Sequence, residues 1–244
     1  MTYVENPKTR GSGIVCCIPQ TGRCPNGCAD CFFQSGRSYL EPLAEHLPNL
    51  PPLEMTVSRV VRVNDGNDSN VRRELVISST SQYEHRFFNT AIPADLGSFP
   101  GPVVLTANPG KMTDDDFHRV CPAPPNLMFV RMRTNTWNLG LVEEVVAYYS
   151  AQQVPIVLTF MAYFEETVPS GHQANYVFRK RTLNSYWAIT TKAWEMVMAP
   201  YRLSRWVYSC GKVEGEEGVS GCRYCGNCLR EYFAAKERLR QATT

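Results

Sequence analysis

Residues 13–31 read GIVCCIPQTGRCPNGCADC, a short apolar run followed by three cysteines with the spacing C-x3-C-x2-C. The run predicts a buried strand, because it is rich in β-branched residues and ends at Pro19. The glycines and the proline that follow favour a loop that curls three thiolates, those of Cys24, Cys28 and Cys31, around one object. This stretch therefore predicts a strand whose carboxyl end carries a metal-binding loop.

Five further runs rich in β-branched or aromatic residues predict strands at 57–63, 102–107, 127–133, 155–161 and 205–209. Amphipathic or capped segments predict helices at 69–78, 113–120, 139–153, 191–201 and 229–241. Residues 87–92 form either an extra strand or an extended loop. Alternating strands and helices build a parallel sheet with helices outside. We therefore expect an α/β fold, a partial (β/α)6 TIM-like barrel.

Bulk composition is that of an ordinary globular protein, with 43% hydrophobic and 20% charged residues. The formal net charge of +2 gives no case for binding nucleic acid or an anionic membrane by bulk electrostatics. No apolar run is long enough to span a bilayer, and the polar N-terminus lacks the apolar core of a signal peptide. We therefore expect a cytoplasmic monomer without a membrane partner.

Ten cysteines are unusual for such a chain, and nine of them lie near its two ends, with Cys121 between. A disulfide framework is expected in a small secreted domain, which this chain does not resemble. Clustered cysteines in a reducing compartment indicate metal instead, with disulfides as the alternative. Cys16 and Cys17, in the first predicted strand, are expected in the core with at most one facing inward.

Cys24, Cys28 and Cys31, which we call the first cysteine loop, supply three ligands where four would close a metal site. Three ligands leave one metal position open. In a parallel barrel the loop after a strand lies on the functional face. We therefore expect an incompletely ligated iron–sulfur cluster where substrate binds, with a structural zinc loop as the alternative.

A C-x3-C-x2-C loop directly after a first strand resembles the signature of the radical S-adenosylmethionine superfamily, and the resemblance covers roughly residues 1–209. It implies that the three cysteines bind a [4Fe-4S] cluster whose fourth iron takes the amino and carboxylate groups of S-adenosylmethionine. It further implies reductive cleavage to methionine and a 5′-deoxyadenosyl radical, hydrogen abstraction from substrate, and an electron donor such as flavodoxin or ferredoxin. The family usually has an aromatic residue before the third cysteine; here Asp30 holds that position, and Phe32 and Phe33 follow the cysteine.

The second predicted strand ends in a turn, residues 64–70, that is dense in Asn, Asp and Gly. In the resembled family this position carries a glycine-rich turn ending in an acid, which holds the methionine amino group. The resemblance therefore makes Gly66 and Asn67, with Asp65 or Asp68 as the acid, candidate cofactor-binding residues. The alternative is an ordinary Asx turn and helix cap.

Arg131, Arg133 and Asn135 share one face at the end of the fourth predicted strand, because side chains alternate along a strand. A barrel interior does not take two arginines without anionic partners. These residues are therefore candidates to bind the cofactor's carboxylate or a phosphate, and they favour an anionic substrate. The alternative is that both arginines face solvent. Thr159 and Met161 on the fifth strand are candidates to line the adenine site, with plain core as the alternative.

Residues 176–187 read YVFRKRTLNSYW and mix basic and aromatic side chains. They follow the fifth predicted strand, so they also belong to the mouth of the expected barrel. They are a candidate grip for a phosphate or a nucleobase, with a solvated loop as the alternative.

Four cysteines near the other end form a second cysteine set: Cys210, Cys222, Cys225 and Cys228. Four thiols are a complete set for a tetrahedral zinc ion or a fully ligated [4Fe-4S] cluster. A C-x2-C-x2-C run with one remote cysteine favours the cluster, since zinc sites more often show two separated pairs. The composition also predicts a small appendage at 210–244, where an auxiliary cluster transfers electrons or clamps the structure.

The leading functional hypothesis is thus an enzyme that makes a 5′-deoxyadenosyl radical. The alternatives are a non-catalytic zinc or iron–sulfur module that recognises nucleic acid or protein, and a simple electron carrier. The chain is long for a carrier, which disfavours the last of these. The substrate does not follow from the sequence.

Overall fold

The strand that precedes the first cysteine loop is one edge of a seven-stranded sheet. The computed structural model describes residues 2–28, 31, 33–34, 36, 38–108, 120, 122–180, 185–215 and 221–242. The strands are β1 (Ile14–Cys17), β2 (Val60–Val63), β3 (Arg86–Thr90), β4 (Val103–Ala107), β5 (Leu127–Thr134), β6 (Ile156–Phe160), β7 (Tyr176–Arg179), β8 (Tyr186–Ile189) and β9 (Val207–Gly211). The α-helices are α1 (Leu43–His46), α2 (Arg73–Ser79), α3 (Leu139–Ala151), α4 (Thr191–Met198), α5 (Cys222–Cys225) and α6 (Asn227–Ala242). Short 3-10 helices lie at Leu53–Met55, Leu96–Ser98, Glu165–Thr167, Ser170–Asn175 and Ala199–Tyr201.

The large sheet is entirely parallel, with the strand order β1-β2-β3-β4-β5-β6-β9. The strands of this sheet follow their order in the chain, as they do in a parallel barrel; β7 and β8, which come between β6 and β9 in the chain, form a separate antiparallel pair. The sheet curls into a half-barrel, which confirms the expected α/β class and parallel sheet. All the predicted strands are present, and residues 87–92, ambiguous in sequence, supply most of β3, a further strand between β2 and β4.

Helices cover the outer face of the sheet. Val76 of α2, Val145 of α3 and Val197 of α4 belong to one buried cluster with strand residues such as Val63 and Leu158. The amphipathic pattern of 139–153 predicted this face, and the buried side of α3 confirms it. Residues 109–119 of the predicted 113–120 helix lie outside the described part of the chain, as do residues 181–184 between β7 and β8.

The C-terminal helix α6 packs on the opposite, inner face. Tyr232 and Ala235 of α6 share a buried cluster with Phe87, Val104 and Val157, one residue from each of three strands. The crossover helices occupy the other face of the sheet, so α6 lies inside the curl of the half-barrel. It fills the half of the inner face nearest the amino ends of the strands.

The expected boundary between 1–209 and 210–244 falls inside β9, because Cys210 pairs in register with Thr159 of β6. In addition, the Arg238 guanidinium of α6 donates a hydrogen bond of 3.0 Å to the Leu127 carbonyl at the start of β5. The described C-terminal residues are therefore joined to the sheet rather than set apart from it. Within the described ranges, no helix is both long and apolar enough to cross a membrane.

Candidate functional site

Polar side chains occupy the inner face at the carboxyl ends of the strands. The apolar residues that pack against α6 face inward, and every second residue along a strand faces the same way. The residues that share this face at the carboxyl ends of the strands are Cys16, Arg62, Asn89, Thr106, Arg131, Arg133, Thr159 and Cys210. Four pairings between neighbouring strands align members of this set: Cys16 with Arg62, Thr106 with Arg131, Arg133 with Thr159, and Thr159 with Cys210. The carboxyl ends of parallel strands are where such barrels carry their active sites. This polar inner face is therefore the candidate site.

The first cysteine loop is tied to the turn after β2 by two side-chain hydrogen bonds. Asn67 Nδ2 donates to the Gly22 carbonyl at 3.0 Å. Asn26, between the first two cysteines, donates through Nδ2 to Asp68 Oδ2 at 2.8 Å. Gly27 makes the turn inside the loop possible, because its φ of 53° lies in the left-handed region that favours glycine. The loop after β1 and the turn after β2 thus form one unit.

Phe33 packs against the turn after β2 from the protein interior. It is 2% exposed and belongs to a small buried cluster with Ile18, Leu40 and Leu43, against which Cys31 also packs. A Cβ at residue 66 would overlap the Phe33 ring, so Gly66 is required by the close approach of the aromatic side chain. Sequence reasoning noted Phe33 only as an aromatic residue after the third cysteine and missed this contact.

The three thiols of the first cysteine loop lie close enough to affect one another. Cys24, Cys28 and Cys31 are all half-buried, and the Cys31 N–H donates to the Cys28 carbonyl at 3.3 Å. Burial, with smaller contributions from Asp68 and the neighbouring thiolates, raises the pKa of Cys24 to about 11. Metal binding here would therefore displace a proton from Cys24 at neutral pH. Ala29, Asp30 and Phe32 lie outside the described residues.

Asp68, one of the two candidate acids, is a structural anchor. Its Oδ1 accepts hydrogen bonds from the Asn70 N–H at 2.8 Å and Thr90 Oγ1 at 2.7 Å. Its Oδ2 accepts from Asn26 and from the Ala91 N–H, the latter at 2.7 Å. The bond from Asn70 is the Asx turn that the sequence offered as the alternative. Four donors leave this buried carboxylate little capacity for a ligand.

Asp65, the other candidate acid, is buried beside a cation. Its side chain is 2% exposed and lies 3.4 Å from an Arg62 guanidinium nitrogen. Asn6 Nδ2 donates to the same Oδ2 at 2.8 Å, and the Tyr39 hydroxyl lies 3.4 Å from it. Oδ1 receives no hydrogen bond from any described residue. Asp65 is thus the acid of this turn that keeps accepting capacity.

The two predicted arginines line the inner face rather than facing solvent. Arg131 Nη1 donates to Asn89 Oδ1 at 3.2 Å, and its guanidinium lies 5.6 Å from the centroid of the Phe129 ring. The Arg133 guanidinium lies 5.4 Å from the centroid of the Tyr163 ring. Both side chains are half-buried. The site therefore offers positive charge to an anionic group, as the sequence predicted.

Asn135, Thr159 and Met161 are in different environments. Asn135 Oδ1 accepts from the Trp137 N–H at 2.9 Å, and its Nδ2 lies 3.4 Å from the Tyr163 hydroxyl. The Thr159 hydroxyl is on the inner face and donates to the Val157 carbonyl at 3.3 Å. Met161 packs against the large core, which matches the core alternative. Asn135 and Thr159 thus stay near the site, and Met161 belongs with the packing.

An aromatic group, most of which sequence reasoning did not single out, packs in the large buried cluster beside Arg133. The Trp137 ring centroid lies 5.1 Å from that of Tyr163 and 5.5 Å from that of Tyr176. His172 adds an edge contact at 5.6 Å, and its Nδ1 lies 2.9 Å from Thr136 Oγ1. Tyr176 opens the basic and aromatic segment 176–187, so at least this end of the segment packs inward.

The second cysteine set meets at the same face. Cys210 lies on β9, Cys222 and Cys225 bound α5, and Cys228 lies in the first turn of α6. Asn227 Nδ2 donates to the Ser209 carbonyl at 2.8 Å, which fastens the start of α6 to β9. The four thiols therefore come from three elements that converge on one edge of the half-barrel.

The thiols of this set also interact directly. The Cys225 thiol lies 3.9 Å from the Cys222 carbonyl oxygen. The neighbouring Cys210 thiol lowers the pKa of Cys225. Cys225, together with burial and the charges of the other thiols of the set, raises the pKa of Cys210. Burial also raises the pKa of Cys228, while Arg131 and Arg62 act in the opposite direction. The thiols of this set are therefore close enough to one another, and to the guanidinium groups of Arg62 and Arg131, for their charges to interact.

The donor chemistry of both cysteine groups matches iron–sulfur ligation, since every candidate ligand is a thiol. Among the residues that the structure describes, no three Cys, His, Asp or Glu side chains are arranged to hold a metal ion as they stand. A single zinc ion, with Zn–S bonds of about 2.3 Å, would require the sulfurs to converge closely. A larger cluster of several irons requires less convergence.

Comparisons with protein-family models, with curated proteins and with solved structures find no match to this chain.

Proposed function

We propose that this protein is a radical S-adenosylmethionine enzyme that modifies its substrate by hydrogen-atom abstraction, built on a partial (β/α)6-type barrel. One observation carries the proposal: a C-x3-C-x2-C loop follows the first strand of a parallel half-barrel. The position after β1 directs three thiolates and one open ligand position toward the polar inner face. A structural metal site that is closed by four protein ligands needs neither an open ligand position nor a place at the functional face.

Cys24, Cys28 and Cys31 hold a [4Fe-4S] cluster in this proposal. When bound, the cluster supplies one electron that breaks a carbon–sulfur bond of S-adenosylmethionine, giving methionine and a 5′-deoxyadenosyl radical that takes a hydrogen atom from substrate. Phe33 and Gly66 keep the loop seated on the turn after β2. Such rigid support is what a reactive site needs to keep its geometry.

The inner face supplies the binding groups. Asp65, with an oxygen that still accepts, is the candidate for the amino group of the cofactor's methionine moiety. Arg131 and Arg133 are the candidates for its carboxylate or for an anionic substrate, because guanidinium groups bind carboxylate and phosphate through paired hydrogen bonds. The aromatic group around Trp137 and Tyr163 supports Arg133, whose guanidinium lies 5.4 Å from the centroid of the Tyr163 ring.

The second cysteine set is proposed to bind an auxiliary [4Fe-4S] cluster. With four thiolates its irons are fully ligated, so it offers no open position to substrate. Its proposed roles are electron transfer and the fastening of α6 to β9. The electron donor of the first cluster is proposed to be a flavodoxin or a ferredoxin.

Anaerobic reconstitution with iron and sulfide, followed by product analysis under a strong reductant, tests the proposal. We expect about eight irons per chain and formation of 5′-deoxyadenosine and methionine. C24A should lose about half of the iron and all of the cleavage, whereas C17A should keep both. Cys17 is a suitable control because it is a buried thiol in the core behind the sheet. Zinc alone, with no cofactor cleavage, would instead favour a non-catalytic module that recognises nucleic acid or protein.

A further inference from the structure

The second cysteine set lies within the curl of the half-barrel. Cys210 pairs in register with Thr159 of β6, which in turn pairs with Arg133 of β5, and both residues are on the inner face. Cys228 belongs to α6, which packs on that face, and Cys210 and Cys228 both contact its apolar cluster. A metal group held by this set would therefore adjoin the polar inner face instead of sitting in a remote appendage.

Two half-buried arginines lie on the inner face that these thiols adjoin. Arg62 on β2 donates through Nη2 to the Cys16 thiol at 3.3 Å, and its charge also acts on Cys222 and Cys228. The Arg131 guanidinium on β5 lies 5.6 Å from the centroid of the Phe129 ring, which belongs to the apolar cluster that Cys228 contacts. Arginine stays charged at any pH of interest. Two fixed positive charges therefore face the second set from different strands.

A lysine approaches the same thiols from the N-terminal segment. The Lys8 carbonyl accepts a hydrogen bond of 3.3 Å from the Cys222 N–H, so the two residues are direct neighbours. The Lys8 side chain is exposed to solvent, so its positive charge lies next to this set without being buried. We call Lys8, Arg62 and Arg131 the inner cations.

Arg62 and Arg131 need negative charge nearby, because both are largely withdrawn from solvent and a charge in that setting is costly without a counter-charge. Asp65 supplies one carboxylate to Arg62. Within the described part of the chain, no carboxylate pairs with Arg131, whose side-chain contacts are Asn89 and the Phe129 ring. A metal group bound by four thiolates is net negative and becomes more negative on reduction. It therefore supplies the missing counter-charge, more so in its reduced state.

We propose that the inner cations raise the reduction potential of an iron–sulfur cluster held by Cys210, Cys222, Cys225 and Cys228, so that it serves as an electron acceptor facing the reaction space. The inference rests on the proposed function for the identity of the metal group. In the redox step the substrate radical left by hydrogen abstraction gives one electron to the oxidised cluster and one proton to solvent, so that the substrate is oxidised and the cluster is reduced. Net charge and hydrogen bonding near a cluster are known determinants of its potential.

The test uses a C24A/C28A/C31A background, in which only the second set can bind a cluster. The midpoint potential is measured by redox titration followed by electron paramagnetic resonance. R62Q and R131Q should each lower the reduced-to-oxidised ratio at a fixed potential by about tenfold, which is a shift of 59 mV for a one-electron couple. K8M should shift the ratio in the same direction by a smaller amount, because Lys8 is exposed and its charge is screened by solvent. R62K should stay near the background value, because it keeps the charge.

R205Q is the matched control, since Arg205 is exposed just before β9 and interacts with the Trp206 ring. The proposal is overturned if none of the three variants shifts the ratio more than R205Q does, or if the background protein takes up zinc and no iron. If R62Q fails to load, R131Q carries the same prediction and K8M the same direction of shift. The midpoint potential is measured without S-adenosylmethionine. A negative result in this experiment is therefore distinct from failure of the proposed cofactor cleavage.

Discussion

The ring of Phe33 occupies the space that a side chain at Gly66 would need, so the loop after β1 and the turn after β2 fit together at a point without a Cβ. The first predicted consequence is that G66A is destabilising by about 1–3 kcal/mol, the usual cost of overpacking. It should also lower the iron bound by the first cysteine loop. Thermal unfolding and iron analysis of the same preparations measure both effects.

G140A is the control for that variant, because Gly140 lies in α3 with open space around it. It should be as stable as the parent or slightly more so, since alanine is preferred over glycine inside a helix. A double variant G66A/F33A should be less destabilised than the sum of the two single variants, because removing the ring relieves the overlap. Strict additivity would contradict the proposed contact.

The second prediction concerns Asp68, whose carboxylate accepts four hydrogen bonds. D68A leaves several buried donors unpaired, and each costs about 1–3 kcal/mol when unsatisfied. We expect a loss of at least about 3 kcal/mol in the free energy of unfolding, measured by denaturant titration. D95N is the control, because the Asp95 side chain is 78% exposed, and it should change stability by less than about 0.5 kcal/mol. Equal effects of the two variants would argue against the anchoring role.

The sequence predicted the strands and the outer helices because their signals are local: β-branched runs and amphipathic spacing lie within single segments. Strand alternation also predicted that Arg131 and Arg133 share one face of the sheet, but it left open which face that is. Convergence of the second cysteine set on the sheet was not predictable in this way. It depends on α6 folding back into the curl, and a composition shift after residue 210 indicated an appendage instead.

Arg62 and Lys8 were also missed. Arg62 interrupts the apolar run of β2, and a lone arginine in a strand buried on both sides was an available signal. Lys8 carried no such signal, because it lies in a polar N-terminal segment whose packing is purely tertiary. Side-chain partners across long sequence separations are set by the assembled fold, so local patterns do not report them.

The third prediction concerns pH and the N-terminal segment. Arg59 donates to Glu5 Oε1 at 2.7 Å, and this hydrogen bond lowers the pKa of the Glu5 carboxyl. A carboxyl group whose pKa is lower in the folded protein than in the unfolded chain stabilises the fold at any pH above its unfolded pKa. This stabilisation is lost as the pH falls through the pKa of the folded protein. E5Q should therefore be less stable than the parent by about 0.5 kcal/mol at pH 7.

That difference should vanish in acid, below the lowered pKa of Glu5. Denaturant titrations of both proteins between pH 7 and strongly acidic conditions measure it. A difference that stays constant over the whole range would mean that the glutamine substitution acts through packing. R59Q should cost less in the E5Q background than in the parent at neutral pH, because the pairing with Glu5 is already lost there; the hydrogen bond of 2.9 Å from Arg59 to the Ile14 carbonyl is removed in both backgrounds.

The fourth prediction concerns the arginines of the inner face. R133Q should raise the KM for S-adenosylmethionine or for an anionic substrate by about tenfold or more, because a charge-assisted hydrogen bond contributes about 1.5–3 kcal/mol. R133K should recover part of this loss, since it keeps the charge but not the paired donors. R205Q should leave the KM unchanged. An unchanged KM in R133Q for both ligands would remove Arg133 from the binding site.

The most direct test of the central claim is the product ratio of a single reductive turnover with the anaerobically reconstituted protein. The account predicts that S-adenosylmethionine yields 5′-deoxyadenosine and methionine in equal amounts, and that C28A, with its second cysteine set still loaded with iron, yields neither. A parent protein that carries the first cluster by iron analysis and spectroscopy, yet forms no 5′-deoxyadenosine, would contradict it.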